Sequence, residues 1–229
     1  MVDVASLLRS TPLVNPSLLA ADFACLERDI RSLEKAGAEI LHLDIMDGCF
    51  VPNLSFGVPV VEAIRRTTQL PLDVHLMLQN PEPYLSVFRK AGADFLSIHI
   101  EVVPDPRLMF DTIRKLGAIP GLVSNPPTPV EMVLPFVNDC DLILTMGVMP
   151  GFGGQTFDPS TLEKIRRIRE VADDNKLISV DGGVAETTIA RIAAAGANLF
   201  VVGTALLGHP DISDQFQLLR QRTFSEPCL

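Results

Sequence analysis

The chain has 229 residues, is 47% apolar and carries a formal net charge of −9. That balance argues against nucleic acid as a partner, because phosphate backbones are held by clusters of Lys and Arg. A small anion stays compatible, since backbone N–H groups or a metal can make a locally positive pocket.

No Gly/Ser- or Pro-rich linker divides the sequence, so one domain over residues 1–229 is expected. Cys25, Cys49, Cys140 and Cys228 show no CxxC spacing and read as reduced thiols. No basic region followed by a long apolar run opens the chain, and no apolar run is long enough to span a membrane. A cytoplasmic protein with no membrane partner is the expectation.

Eight strand candidates follow one another at 13–19, 40–44, 72–76, 95–99, 119–123, 142–146, 177–180 and 199–202. Segments with helical spacing lie between them at 23–36, 58–67, 83–91, 106–116, 130–137, 160–173 and 186–195, with another at 212–222 to close a ring. In 160–173, Leu162, Ile165 and Ile168 share a face, and Lys164, Arg166, Arg167 and Arg169 read as its solvated surroundings. Ala36-Gly37-Ala38, Ala91-Gly92-Ala93 and Ala195-Gly196-Ala197 each end an amphipathic segment and precede an apolar run; Leu116-Gly117-Ala118 is a weaker copy. Glycine there suits a helix C-cap, and repeated helix–Gly–strand junctions indicate a parallel sheet. The alternation predicts an α/β fold, a (β/α)8 TIM barrel. A doubly wound open sheet would carry a Gly-rich turn after its first strand, and Pro16-Ser17-Leu18-Leu19-Ala20 is not one.

Within Leu41-His42-Leu43-Asp44-Ile45-Met46, alternation turns His42, Asp44 and Met46 inward and the aliphatic residues outward. Leu72-Asp73-Val74-His75-Leu76-Met77 repeats the pattern, and Leu177–Val180 runs into Asp181 and Gly182-Gly183. His42, Asp44, His75 and Asp181 thus stand at the C-terminal ends of three strands, where a parallel barrel places its chemistry. One inward His–Asp pair could simply hydrogen-bond. Four converging imidazoles and carboxylates favour a divalent metal site. Met46, Met77 and Met146 fall at comparable depths, as core filling or as an apolar wall over the site. Asp73 reads as a supporting carboxylate, His99 at a strand end as a structural histidine or a pocket-lining one, and His209 as surface.

Two loops exceed the structural minimum: 47–57, and 147–155 with Pro150, Gly151, Phe152, Gly153 and Gly154. The second reads as a connector or as a loop suited to folding over an anion. Gly183 after strand seven and Gly203-Thr204 after strand eight belong to the loops that bind phosphate in this architecture. A metal and a phosphate site together point to a phosphorylated sugar.

The segments 16–23, HLDIMDGCFVPN (42–53), LDVHLM (72–77), NPPTP (125–129), MPGFGGQ (149–155), VDGG (180–183) and VVGT (201–204) resemble the ribulose-phosphate 3-epimerase family over about Asn15 to Gly208. The resemblance implies a (β/α)8 barrel that interconverts D-ribulose 5-phosphate and D-xylulose 5-phosphate with a divalent metal. It implies that His42, Asp44, His75 and Asp181 bind that metal, and that Asp44 and Asp181 form the acid/base pair. Ser17 and His75 would contact substrate, Met46, Met77 and Met146 would line it, and Gly151, Phe152, Gly153, Gly154, Gly183, Gly203 and Thr204 would hold its phosphate end. A mixed N/O ligand set admits Fe2+, Zn2+, Mn2+ or Co2+, and the family implies a homo-oligomer, dimer or hexamer.

Three positions depart from the family pattern: Thr204 stands where Ser is commoner, Met149 where Asn or Asp is, and Ser124 where an aliphatic residue precedes Asn-Pro. They leave open a six-carbon substrate, D-allulose 6-phosphate. A metal-dependent ketose-phosphate aldolase would use a similar enediolate. Lysine-dependent phosphate barrels fit poorly, since no strand end carries an inward Lys.

Overall fold

A strand such as Leu41–Met46 carries large aliphatic residues on one face and polar residues on the other, so both faces need covering. A closed parallel ring inside a shell of helices does this. A computed structural model describes residues 4–225, and Cys228 lies outside them. Eight strands are present: β1 (Leu13–Pro16), β2 (Leu41–Met46), β3 (Leu72–Met77), β4 (Phe95–His99), β5 (Ile119–Ser124), β6 (Leu142–Met146), β7 (Leu177–Asp181) and β8 (Leu199–Val202). They pair in parallel in the order β1-β8-β7-β6-β5-β4-β3-β2. A parallel bridge between Ser17 and His42 brings β1 and β2 together and closes the ring. The fold is the (β/α)8 barrel.

Among the described residues the α-helices are α1 (Val4–Ser10), α2 (Leu26–Ala36), α3 (Val58–Thr67), α4 (Leu85–Ala91), α5 (Arg107–Lys115), α6 (Thr161–Val171), α7 (Ile189–Ala194), α8 (Thr204–Leu207) and α9 (Ile212–Arg222). Leu41, Leu43 and Ile45 pack with Ile30, Leu33 and Ile64 in the shell between sheet and helices. Inside the ring, Leu13, Ile40, Phe95, Leu142, Leu177 and Leu199 form a separate apolar floor. Each such side chain contributes roughly 1.5–3 kcal/mol by leaving water. Gly37 ends α2 at φ 94°, and its repeat counterparts Gly92 and Gly196 lie at 120° and 111°. Left-handed caps are thus what the Ala-Gly-Ala repeat supplies.

Several boundaries differ from the sequence reading. The segment 130–137 forms two 3₁₀ turns, Val130–Met132 and Leu134–Phe136, in place of a helix. Pro135 has no N–H to give to an α-helical ladder, and the short turns still bury Val133 and Phe136. The first strand stops at Pro16, and Ser17 caps a 3₁₀ turn, Leu18–Ala20. α2 begins at Leu26, three residues later than its apolar pattern. Two helices have no counterpart in the sequence reading. α1 lies against the barrel floor, where Leu7 is buried beside Val4 and Leu8. α8 follows β8 directly and starts at Thr204. Lys164 is buried and not part of a solvated face: its Nζ donates to the carbonyls of Asn125 at 2.6 Å and Pro126 at 3.2 Å.

Candidate metal centre

The register of β2 against β3 sets His42 beside Asp73, Asp44 beside His75 and Met46 beside Met77. Because side chains alternate, a slip of one residue would turn all six outward. Asp181 ends β7, which β8 and β1 separate from β2. One ligand atom from each of His42, Asp44, His75 and Asp181 lies within 4.8 Å of the others. His42 Nε2 is 3.2 Å and His75 Nδ1 is 3.1 Å from the same Asp44 Oδ1. The corresponding distances to Asp181 Oδ2 are 3.9 and 3.8 Å.

Around this cluster, Asp73 Oδ2 accepts from His42 Nδ1 at 2.7 Å and from Asn15 Nδ2 at 2.9 Å. The Ser17 hydroxyl donates to Asp44 Oδ2 at 2.7 Å. His75 Nε2 meets His99 Nε2 at 2.8 Å, and His99 Nδ1 meets Glu101 Oε2 at 2.9 Å. His42, His75, Asp73 and His99 are completely buried.

The donor set itself shows whether a cation fits. A neutral His42 gives its Nδ1–H to Asp73, which leaves the Nε2 lone pair facing the Asp44 carboxylate. Two acceptors at 3.2 Å in a buried site repel unless a positive charge lies between them. The charge demand is visible in the proton affinities. Burial lowers that of His42, yet Asp44 and Asp73 outweigh it and push the imidazole well above its usual value. Burial opposes ionisation of Asp44, but His42 and His75 hold its carboxyl well below the usual carboxylate range. Asp181 goes the other way: burial, reinforced by Asp44, raises it to about 6. Two imidazoles and two carboxylates around one centre suit a divalent transition metal, and the residues present fit one.

Above the cluster a cavity of about 590 Å³ opens at the C-terminal end of the strands. Asp44 and Asp181 line it, with Ser17 and with Met46, Met77 and Met146. So do Gly151, Phe152, Gly153, Gly154, Gly183, Gly203 and Thr204. His42 and His75 do not; they lie beneath it, so only the carboxylates reach both a cation and the cavity. Phe152 is half exposed on the rim, and Met149 is half exposed outside the cavity lining. Ser124 is buried with no partner for its hydroxyl, away from the cavity lining.

The two long loops are tied together. Asn53 Nδ2 donates to the Gly151 carbonyl at 2.6 Å, and Gln155 Nε2 bonds the Met149 and Phe152 carbonyls at 2.8 Å each. Gly183 has φ 68°, and a Cβ there would meet the Phe157 backbone at 2.6 Å. Only glycine lets the loop after β7 pass so close. Asn53, Asn15, Glu101 and Thr128 went unassigned in the sequence reading. Glu101 has a faint signal, since it stands two residues beyond inward-facing His99; Asn53 is marked only by its place in the 42–53 motif.

The sequence model of the ribulose-phosphate 3-epimerase family matches residues 13–207. The chain belongs to that family. It is 48% identical over 202 residues to a ribulose-phosphate 3-epimerase of Bacillus subtilis, covering 86% of this chain and 93% of the relative. Identity to a Synechocystis ribulose-phosphate 3-epimerase is 43% over 221 residues, covering 94% and 96%. Among solved structures, tryptophan synthase from Mycobacterium tuberculosis aligns with a TM-score of 0.70 over 96% of both chains. At 16% identity that likeness shows the fold alone. Within the ribulose-phosphate 3-epimerase family match fall every member of the His/Asp cluster and every loop that lines the cavity. Helices α1 and α9 lie outside it.

Proposed function

We propose that this chain inverts C3 of D-ribulose 5-phosphate to give D-xylulose 5-phosphate, with Asp44 and Asp181 as the proton-transferring pair. One observation carries the reading. Carboxylates from two separated strands share a centre with two buried imidazoles, yet line the cavity from different walls. His42, Asp44, His75 and Asp181 would hold a divalent ion, with Fe2+, Zn2+, Mn2+ and Co2+ all compatible. When bound, that ion supplies Lewis-acid stabilisation of enediolate charge, of the order of several kcal/mol.

The protein's own groups do the rest. Removing the proton next to a ketone and returning one to the opposite face needs a base and an acid on either side of the carbon. Asp44 and Asp181 stand on separated strands and line the cavity from different walls, so one can take the proton while the other returns one. Reversing the roles runs the reaction backwards. The Ser17 hydroxyl fixes one oxygen of Asp44 and leaves the other toward the cluster. Met46, Met77 and Met146 supply apolar surface that keeps water from the enediolate. Gly183, Gly203 and Thr204, with the loop of Gly151 to Gly154, offer N–H and hydroxyl donors for the phosphate. His75, by its depth, serves through the cluster and not by touching the sugar. A homo-oligomer, dimer or hexamer, and a cytoplasmic setting complete the proposal from the family likeness.

The test is turnover of D-ribulose 5-phosphate in deuterated water with metal present. Deuterium at C3 of xylulose 5-phosphate supports the reading. Cleavage products, or substrate returned without label, refute it. Asp181→Asn should lower turnover by about 10²–10⁴-fold, the range for a lost general acid or base. D-allulose 6-phosphate run in parallel should be turned over more slowly than the pentulose.

A further inference from the structure

We propose that His99, Glu101 and Thr128 are positioning residues of the metal centre: a one-way hydrogen-bond chain that presents the Nδ1 lone pair of His75 to the cluster. The proposal rests on the reading of His42, Asp44, His75 and Asp181 as a cation site, and extends it to residues that touch neither cation nor substrate.

The polarity of the chain follows from its far end. Glu101 Oε1 accepts the Asn125 N–H at 2.8 Å and the Thr128 hydroxyl, while Oε2 faces His99 Nδ1 at 2.9 Å. A carboxylate only accepts, so His99 carries its proton on Nδ1. A neutral imidazole has one N–H, which leaves a lone pair on His99 Nε2. That nitrogen lies 2.8 Å from His75 Nε2, so His75 must be the donor there. Its remaining nitrogen, Nδ1, is then unprotonated and sits 3.1 Å from Asp44 and 3.8 Å from Asp181.

The opposite polarity fails at the Glu101 end and, with a cation in the cluster, at the His75 end. It would set the His99 Nδ1 lone pair against a carboxylate at 2.9 Å, a buried clash of acceptors. It would also place a proton on His75 Nδ1 and close that site to a cation. Glu101 is held at about 2, against burial, by His99, Thr128 and Asn125, so it stays an acceptor. The Phe50 ring packs on His99 with centroids 4.5 Å apart, and the His75 and His99 rings are nearly parallel at 25°.

The chain also explains residues that the epimerase reading leaves idle. In Asn125-Pro126-Pro127-Thr128-Pro129 the first and fourth residues grip Glu101. The buried Lys164 from α6 holds that turn through the Asn125 and Pro126 carbonyls. His42 obtains the same service from Asp73 in one step. His75 obtains it through an intervening ring, so that Glu101 does not join Asp73 as a further carboxylate beside Asp44 and Asp181.

Glu101→Gln is a near-isosteric test with a directional outcome. Two donors already occupy the Oε1 side, so the amide oxygen must turn there and the NH₂ must face His99 Nδ1. The proton then moves to His99 Nε2, and His75 is forced to carry its own on Nδ1. Long-range ¹H–¹⁵N spectra should show His99 protonated on Nδ1 in the parent chain and on Nε2 in Glu101→Gln. Zn2+ and Co2+ affinity, by chelator competition, should fall about 10–100-fold, the range for lost outer partners of a ligating histidine. A parent chain with His99 protonated on Nε2 overturns the proposal and needs no variant. So does a folded Glu101→Gln that binds Zn2+ within twofold of the parent. If the parent binds neither Zn2+ nor Co2+, the cation reading falls and takes this role with it. A parent that binds beside a variant that binds equally refutes only the chain.

Discussion

Replacing Asp73 by Asn removes one negative charge beneath the cluster while keeping the shape of the side chain. Asp73 Oδ2 receives both the His42 Nδ1–H and the Asn15 amide, whereas Oδ1 has no partner. The amide oxygen of Asn can take the Oδ2 place and preserve both bonds, leaving its NH₂ where Oδ1 was. What is lost is the charge that makes His42 a stronger ligand. Outer partners of this kind are worth about 10–100-fold in metal affinity, or about 1.4–2.7 kcal/mol. Metal binding stabilises the folded chain by mass action, so the same energy disappears from the metal-induced rise in Tm. At roughly 2–4 °C per kcal/mol for a chain of this size, the rise should shrink by about 3–11 °C. The assay is a pair of melting curves, with chelator and with saturating Zn2+, for parent and Asp73→Asn, beside direct Zn2+ competition. A variant whose metal-free Tm equals the parent's and whose metal-induced rise is unchanged would falsify the role given to Asp73.

Three further outcomes are expected. In the metal-free protein the Asp181 carboxyl, raised by burial and then by Asp44, should titrate near pH 6 in ¹³C spectra, and metal should abolish that transition between pH 5 and 8. A raised folded-state value means its contribution to stability is complete below the unfolded value and is lost as pH rises through about 6; a carboxyl already ionised at pH 5 without metal contradicts this. Leu7→Ala should cost about 2–4 kcal/mol in urea unfolding by opening a void under the barrel floor, and a loss below about 0.5 kcal/mol would show that α1 does not plug it. Gly183→Ala faces both φ 68° and the Phe157 backbone, so it should destabilise by about 1–3 kcal/mol and raise KM more than it lowers kcat; unchanged KM removes this loop from phosphate binding.

Much of this was written locally. Alternation in 41–46 and 72–77 placed His42, Asp44 and His75 on the inward face, and the Ala-Gly-Ala repeats marked the helix ends before strands. The segment 130–137 misled because its apolar spacing is helical while Pro135 forbids the ladder. Lys164 misled because charge next to Arg166 and Arg167 reads as surface, and only the turn at Asn125 and Pro126 gives its Nζ buried acceptors.

Local order along the chain decides which residue types face the axis and which ends of the strands carry them, because side-chain direction in a strand is a property of neighbours along the chain. It could not say which nitrogen of each imidazole faces the cluster. That depends on Asp73 standing beside His42, and on Glu101, Asn125 and Thr128 closing behind His99. Nor could it join Asn53 to Gly151 across 98 positions. Ring closure and strand register make these contacts, and both are set by the packing of the whole barrel. Hydrogen-bond polarity, and with it the chemistry of the cluster, is therefore a tertiary property.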